Sequence, residues 1–556
     1  MSKYLILFNI TCVLILGQTE NIPYDWSGQY GVISNNGRIM WNQDWKVGNL
    51  LIDGTFSNYP VRFGILNVDD FQLLQIDQTN FVNHNFPDSS EVKSSINYAR
   101  GDFSFDQLEI GAKFSETQRN ISINAFKRSY DGAYDQYNST DGNTPLQQSY
   151  RLDYSSIAGN RVIGISVGRF LADSRLYNID TLDFEHEDKS VAAGLSYNNR
   201  FADWNYQMYS ALFQQYYKMN YVKSNNDLEA YLNRGHISQK IQKNINDLDR
   251  LTVGIRFDNQ HISLVDSIKI NRSWSTIYGG WQRSNFGINI GSSITKDEVS
   301  PYFKIWKKSL TNSKLNWNTY LLYEALLQHI VNWNFINDLV ADKFMEKWFT
   351  AHADMAYVYQ GIPIKLNFDW RKLEEVTSKA FNVNNAITKE LSDNLISGSL
   401  ALQIPIIRDW QFEAMFRHTF EHNLYSDGIG DRINLGLIFT ENLFKNNLLT
   451  NLKIWGEGHL NRNSKLKYQG FHIGPSYNSN PITQLSEYWV FNMELSVKVS
   501  QLTINWQIKN ILQTINSVNG QLLKNIGEEY LFMKNNQNFP SLNRHLSLNI
   551  IWDFNN

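Results

Sequence analysis

The clearest chemical pattern in the chain is a pair of histidines four positions apart, within His418-Thr419-Phe420-Glu421-His422. On a helix, histidines at this spacing share a face and can hold Zn²⁺ while the glutamate activates a bound water. The residues from Trp410 onward instead alternate between apolar and polar types, as a strand does, which turns Glu421 away from both histidines. We therefore predict no metal site at this position.

Other acid–base residues are available for hydrolysis, namely His352, Asp354, Asp369 and Glu421. All of them occur within alternating segments, where polar residues are expected to line a wet lumen. The sequence contains no glycine-rich phosphate loop and no Gly-x-Ser-x-Gly nucleophile motif. We predict that the protein is not an enzyme, has no catalytic residue and requires no cofactor.

The elements that would position these residues are strands with a period of two. Near the C-terminus, Trp489, Phe491, Met493, Leu495, Val497 and Val499 alternate with polar residues. Two residues later the same pattern resumes at Leu502, as in an antiparallel hairpin. Such segments recur from about residue 91 to Phe554, and we count about 22, within roughly 16–24, near the length of a tilted membrane strand.

The connections between these segments are of two kinds. Short ones lie at Glu116–Arg119, Ala158–Arg161, Gln360–Gly361 and Ser500–Gln501. Long polar ones are expected at Ser129–Thr144, Phe170–Glu187, Tyr217–Asp247, Ala325–Phe344, Leu373–Asn394 and Leu460–Glu487, and Ala325–Phe344 has helical periodicity. Short turns on one side and long loops on the other are typical of outer-membrane barrels, whereas a propeller would show a blade repeat. The predicted fold is an all-β transmembrane antiparallel barrel with long extracellular loops.

The ends and the composition of the chain agree with export. Residues 1–19 have the charge and apolar run of a signal peptide, and the single cysteine, Cys12, lies inside them. The net charge of −3 gives no indication of nucleic-acid binding. We divide the chain into this signal peptide, an N-terminal segment at 20–90, and a barrel at 91–556. Residues 20–90 are left open as extra strands, a lumen insert or a cap.

Alternation also predicts which side chains face the lumen and which form the aromatic girdle at the membrane interfaces. The lumen-lining candidates are Lys365, Asp369, Arg371, Arg417, Glu494, Lys498, Lys509 and Asp553. The girdle and closing-strand candidates are Trp370, Trp489, Trp506, Trp552 and Phe554. The lumen set contains both charge signs, so the sequence indicates no strong ion preference.

The C-terminal part of the chain has three features in succession: Asn510-Ile511-Leu512 after the penultimate strand, Phe539-Pro540-Ser541-Leu542-Asn543-Arg544, and the final strand from His545 to Phe554. With them, residues 486–554 resemble the closing strands of TonB-dependent outer-membrane receptors. This resemblance implies a receptor-type barrel. Residues 20–90 are shorter than the plug domain of that family, and we recognise no energy-coupling box. The chain therefore resembles a receptor barrel without the plug.

Together these patterns predict a porin-like or receptor-like channel of the bacterial outer membrane, reached through the periplasm, for binding or uptake of an unidentified small solute. The expected partners are outer-membrane lipid, the barrel-assembly machinery and a surface lipoprotein, but not nucleic acid. The alternative is a non-transporting surface barrel that serves adhesion or carries surface lipoproteins.

Overall fold

The computed structural model describes residues 19–23, 26, 31–35, 38–41, 86–132, 137, 145–177, 183–221, 226–264, 268–296, 298–309, 315–327, 345–382, 385–420, 430–445, 447–462, 466–469, 472–475, 487–512 and 542–555. Residues 1–18 of the predicted signal peptide lie outside this set, as does most of the segment 20–90. Within the described ranges, no helix is long and apolar enough to cross a membrane.

The described strands form one large sheet and two small ones. The small sheets are a meander of β1 (Thr19–Pro23), β2 (Gly31–Asn35) and β3 (Arg38–Trp41), and the hairpin of β23 (Leu466–Gln469) and β24 (His472–Pro475). The first half of the large sheet contains β4 (Glu91–Gly101), β5 (Asp106–Ser115), β6 (Arg119–Ser129), β7 (Leu146–Ala158), β8 (Arg161–Tyr177), β9 (Asp183–Phe201), β10 (Trp204–Tyr221), β11 (Asn226–Asn244), β12 (Asp249–Leu264), β13 (Ile268–Arg283) and β14 (Phe286–Thr295). The second half contains β15 (Val299–Lys308), β16 (Leu315–Leu327), β17 (Met345–Tyr359), β18 (Ile362–Asn382), β19 (Asn385–Ile407), β20 (Trp410–Thr419), β21 (Asp431–Leu443), β22 (Leu448–Leu460), β25 (Tyr488–Val499), β26 (Leu502–Lys509) and β27 (His545–Asn555).

The large sheet closes into a barrel in which each strand pairs antiparallel with the next. Closure is made by β27 and β4, with Trp552 opposite Ile96 and Leu548 opposite Arg100. The barrel therefore has 22 strands, and the predicted fold class and strand number are confirmed.

The two faces of the barrel wall differ in polarity. On β12, Leu251, Val253, Ile255 and Phe257 face outward and are 43–62% exposed, whereas Arg256 and Asp258 face inward and are buried. The same contrast of exposed apolar and buried polar positions recurs on β11 and β18. A soluble sheet would bury its apolar face, so this inverted pattern is the one expected of strands whose outer face meets lipid.

The connections at one end of the barrel are all short, as predicted, whereas those at the other end are a mixture of long and short ones. All four predicted short links are present, and at one of them Gln360 and Gly361 both have positive φ (48° and 86°), the conformation of a tight hairpin turn. We call the end that carries these links the short-turn end and the opposite end the long-connection end. Long connections occur where predicted after β6, β16 and β22. The predicted helix in Ala325–Phe344 lies outside the described residues, except that 325–327 belong to β16.

Three of the predicted long loops are wrong. Phe170–Glu187 and Leu373–Asn394 are largely strand, because β8 and β9 continue to Tyr177 and from Asp183, and β18 and β19 are 21 and 23 residues long. Tyr217–Asp247 contains the whole of β11. These strands extend beyond the apolar band, and on the outward face of β11 Gly235 and Gln239 also interrupt that band. The alternation that identifies a membrane strand is therefore lost, although backbone pairing continues.

Candidate functional site

Among the inward-facing positions of the barrel strands whose side chains the structure describes, which we call the interior wall, basic residues outnumber acidic ones. Lysine and arginine occur there at Lys93, Lys113, Arg128, Arg151, Arg200, Arg234, Lys240, Arg250, Arg256, Lys304, Lys308, Lys365, Arg371, Arg417, Arg432, Lys453, Lys498 and Lys509. Aspartate and glutamate occur there at Glu91, Glu109, Asp153, Asp188, Asp258, Glu324, Asp354, Asp369, Glu413, Glu457, Glu494 and Asp553. The wall thus has a positive excess, whereas the whole chain has a net charge of −3.

The structure places all eight lumen-lining candidates on this wall. Lys365, Asp369 and Arg371 lie on β18, Arg417 on β20, Glu494 and Lys498 on β25, Lys509 on β26, and Asp553 on β27. Arg417 and Asp369 are almost fully buried, whereas Lys498 is exposed near the short-turn end. Because they are spread over five strands, they do not form one cluster, and their contact with a solute stays a prediction.

A buried carboxylate on β12 holds three basic side chains together. Arg234 on β11 donates to both oxygens of Asp258, at 2.8 and 2.7 Å. Nδ1 of His236 lies 3.0 Å and Nη2 of Arg256 3.9 Å from the same carboxylate. The Arg234 guanidinium also lies 5.5 Å from the centroid of the Trp274 ring. This Asp258 cluster (Arg234, His236, Arg256, Asp258) therefore joins charge pairing to a cation–π contact.

A second polar group extends the same band across β16, β17 and β18. Nδ1 of His352 lies 3.0 Å from Oδ1 of Asp369, and its Nε2 lies 2.9 Å from Oδ1 of Asp354. The Tyr320 ring stacks on the imidazole with centroids 4.7 Å apart. An imidazole can donate to both carboxylates only when both ring nitrogens carry hydrogen.

Aromatic rings connect these two groups along the wall. Tyr278 and Tyr302 lie edge to face at 6.3 Å, and Nζ of Lys304 lies 5.5 Å from the Tyr320 ring. The result is a band of alternating cations and aromatic rings from β11 to β18, which we call the aromatic–cationic belt. Its chemistry suits ligands that are anionic, flat or both.

A third group lies near the long-connection end. Glu457 accepts from Arg432 at 3.2 Å and from the Trp455 indole at 2.7 Å. His459 stacks on Tyr488 at 4.3 Å, and the Arg462 guanidinium lies 4.6 Å from the Tyr488 ring.

Trp26, from the N-terminal segment, also reaches the interior wall. Its ring packs against the buried cluster of Tyr488, Val490 and Leu542, and Nζ of Lys509 lies 5.0 Å from it. The N-terminal segment therefore contacts the inner face of β25 and β26 at this point.

A cavity of about 190 Å³ lies in the wall on β18 to β22. Lys365, Glu413 and Lys453 are among its lining residues, and Lys453 pairs with Glu413 at 2.5 Å. The predicted lumen residue Lys365 thus lies beside a second lysine and a carboxylate that the sequence did not connect with it.

Of the zinc-like motif, the structure describes only His418, Thr419 and Phe420. His418 faces outward on β20, between Phe416 and Phe420, with Nδ1 2.6 Å from Oδ1 of Asp431. Glu421 and His422 lie outside the described residues. Among the residues that are described, no group of three His, Cys, Asp or Glu side chains could hold a metal ion. The strand expected from Trp410 is confirmed.

The girdle candidates all lie on outward-facing positions. Trp552 and Phe554 stack at 4.6 Å near the short-turn end, Trp370 and Trp489 lie toward the long-connection end, and Trp506 lies between. Further outward pairs at the short-turn end, which the sequence analysis did not single out, include Trp281 with Phe286 and Trp410 with Phe439.

The sequence matches no protein-family model and no curated protein. Solved structures do share its fold. The FrpB iron transporter of Neisseria meningitidis is 8% identical with a TM-score of 0.67, over 98% of this chain and 96% of that one. The ferric enterobactin receptor of Pseudomonas aeruginosa is 8% identical with a TM-score of 0.64, over 98% and 95%. The copper transporter OprC is 9% identical with a TM-score of 0.64, over 84% and 80%. At these identities the likeness shows the barrel fold, which supports an outer-membrane location.

Proposed function

We propose that this barrel binds a solute at the outer membrane and takes it up, as a receptor-like channel. The observation that carries the proposal is the closed 22-strand barrel with a polar interior wall in which described basic residues outnumber acidic ones. Structures with the same fold are named as an iron transporter, a copper transporter and a ferric enterobactin receptor. A barrel of this strand number encloses a lumen wide enough for a small solute.

The interior wall favours an anionic solute. Its excess of lysine and arginine attracts negative charge, and focusing in a low-dielectric channel strengthens that attraction. The aromatic–cationic belt adds flat surfaces between the cations. An anion with an aromatic or other planar part is therefore the solute class that the wall fits best.

The N-terminal segment is, in this proposal, a small insert of the lumen. Trp26 supports this view, because it contacts inward-facing residues of β25 and β26 and not the outer face. Of the alternatives left open by the sequence for residues 20–90, this contact favours the insert over extra wall strands. The contacts of the Trp26 indole with Tyr488, Val490 and Leu542 hold the segment against the interior wall near the long-connection end.

The test is planar-bilayer recording of the purified full-length protein, with the variant Trp26→Ala and the matched variant Trp204→Ala. Trp204 lies on the lipid-facing side, so its loss leaves the lumen unchanged. We expect larger or more frequent channel steps for Trp26→Ala than for wild type and Trp204→Ala. In a tenfold KCl gradient, the reversal potential should take the sign of anion preference.

Two results would count against the proposal. An absence of steps in every variant would favour the non-transporting surface barrel, whose partner would be a lipoprotein or a host surface. Steps with cation preference would leave a channel but remove the anionic solute class.

A further inference from the structure

The cavity of about 190 Å³ in the interior wall lies where a small residue interrupts a row of larger ones. Ala401 on β19 is directly opposite Lys365 on β18 on one side and Met415 on β20 on the other. Asn434 on β21 continues the row beyond Met415. Because alanine fills much less space than its three neighbours, an inward-facing hollow remains, which we call the β18–β22 cavity.

One side of the β18–β22 cavity is formed by an ion pair that crosses β21. Glu413 on β20 lies opposite Gly436 and leans over it, since a Cβ at Gly436 would come within 2.8 Å of its Oε1. The carboxylate thereby reaches Nζ of Lys453 on β22 at 2.5 Å, and this Nζ also lies 5.3 Å from the Trp455 ring. The carboxylate in the cavity is therefore already engaged by a cation of the protein.

The polar lining of the cavity is suited to an anionic group. Lys365 and Lys453 contribute two ammonium groups, whereas Glu413 contributes a single carboxylate. The side-chain amides of Gln403 and Asn434 add further N–H donors. Lys365 and Gln403 are diagonal neighbours on adjacent strands, so both side chains can reach the same ligand group. Such donors bind a carboxylate by charge-assisted hydrogen bonds.

The other half of the lining is apolar, which a bare ion would not use. It is formed by Pro363, Ala401, Leu402, Ala414 and Met415. Sites for small organic molecules commonly combine such a lining with a few polar groups that fix the orientation of the ligand. An apolar cavity of about 150 Å³ holds a benzene molecule, so the β18–β22 cavity has room for one such ring and a carboxylate. The Met415 thioether also suits contact with the edge of an aromatic ring.

We propose that the β18–β22 cavity binds a small aromatic carboxylate of about the size of benzoate. The carboxylate accepts hydrogen bonds from the Lys365 ammonium and the Gln403 amide, and the ring packs against Ala401 and Met415. The inference rests on the proposed function, because the cavity faces the lumen and a ligand must enter it from there. It deepens that function by defining the size and charge of the group that binds on β18 to β22.

The test is ligand-observed saturation-transfer NMR of the purified full-length protein in an alkyl maltoside, a detergent without aromatic protons. Benzoate is titrated in parallel with benzamide, a neutral molecule of nearly the same shape, and acetate serves as a competitor without a ring. Wild type should bind benzoate about tenfold more tightly than benzamide, because the ammonium holds a charged acceptor more strongly than a neutral one. Acetate at the same concentration should displace little of the benzoate.

Two substitutions should weaken benzoate binding for different reasons. Lys365→Gln removes an ammonium group and should weaken benzoate binding about tenfold while benzamide binding changes little. Ala401→Leu fills the hollow and should abolish the binding of both molecules. The matched controls make the same changes on the outer face, with Lys307→Gln on β15 and Ala353→Leu on β17. Both controls should bind benzoate as wild type does.

Every variant is first checked for heat-modifiable migration, and Ala401→Val replaces Ala401→Leu if the larger side chain prevents assembly. Equal affinity of wild type for benzoate and benzamide would overturn the proposal, as would displacement of benzoate by an equal concentration of acetate. Unchanged benzoate binding in Lys365→Gln or in the Ala401 variant would overturn it too, and so would an equal loss in the controls.

The result can be separated from that of the bilayer recordings. Benzoate binding by a barrel that shows no channel steps would refute uptake and retain the cavity as a binding site. An anion-preferring channel that does not bind benzoate would refute the cavity site alone.

Discussion

At the scale of single residues, the Asp258 cluster is the part of the interior wall where charge is most tightly paired. Asp258 and Arg234 are both nearly inaccessible to solvent, and a bidentate pair joins them. Burying such charges is costly unless each is paired, and breaking the pair leaves an isolated buried charge. The carboxylate also keeps Arg234, His236 and Arg256 from repelling one another.

The substitution Asp258→Asn should therefore destabilise the barrel strongly. It removes the only carboxylate in the cluster while Arg234 and Arg256 stay buried, which we expect to cost about 3–5 kcal/mol. The measurement is the temperature at which the compact, heat-modifiable form is lost on gels. Asp553→Asn is the matched control, since Asp553 is half-buried on the same wall. Equal transition temperatures for the two variants would show that the cluster contributes little.

At the scale of strands, glycines recur directly opposite aromatic residues on both faces of the barrel. Gly254 lies across from Tyr278, Gly287 across from Trp306, and Gly458 across from Trp489. In each case the ring lies over the glycine, and a Cβ built there would come within 2.1–2.8 Å of ring atoms. The ring replaces the missing side chain and covers the backbone of the neighbouring strand.

Gly254→Ala tests this packing. The new Cβ would lie 2.3 Å from the Tyr278 ring, so the ring must leave its position, at a cost of about 1–3 kcal/mol. Gly279→Ala is the control on the adjoining strand, because its Cβ would meet nothing within 4 Å. The urea concentration at half-unfolding in detergent should fall for Gly254→Ala only. A fall of the same size in both variants would point to loss of backbone freedom and not to the ring contact.

The sequence predicted these strands well within the membrane and poorly beyond it. Around Val253 and Phe368 the lipid face demands an apolar residue at every second position, so alternation reveals both the strand and its lumen face. In the upper part of β18 no lipid imposes that demand, and on the outward face of β11 Gly235 and Gln239 interrupt the apolar positions Ile237 and Ile241. The sequence pattern therefore predicts loops at both places, where the structure has strands.

The candidate site was predictable in part for the same reason. The inward direction of Asp369 and Arg417 follows from alternation alone. The pairing of Asp258 with Arg234 does not, since it depends on the register of β11 with β12 across a turn. The contact of Trp26 with Val490 joins distant parts of the chain and leaves no local pattern.

At the scale of the whole molecule, the chain is a membrane barrel with an ordinary soluble composition. Its mean hydropathy is −0.40, and 42% of its residues are hydrophobic. In a barrel strand only every second residue contacts lipid, and the other residues face the interior or, at the two ends, the solvent. Averaged hydropathy therefore conceals the membrane surface, which becomes visible only when positions are separated by face.

Closure of the barrel by β27 and β4 gives the last prediction. In a Cys12→Ser background the chain has no cysteine, so the pair Ile96→Cys and Trp552→Cys can report on this one seam. The two residues lie directly opposite each other, and opposed antiparallel residues have Cα atoms about 4.5–5.5 Å apart, within the range of a disulfide. Mild oxidation of the folded protein should therefore yield a cross-linked chain that migrates differently on a non-reducing denaturing gel.

Ile96→Cys with Ile551→Cys is the matched control, because residue 551 faces the other side of the wall and lies opposite Asn97. Cross-linking of the control pair as fast as the test pair would mean that the seam slips in register, and a fully reduced test pair would mean that the barrel does not close there.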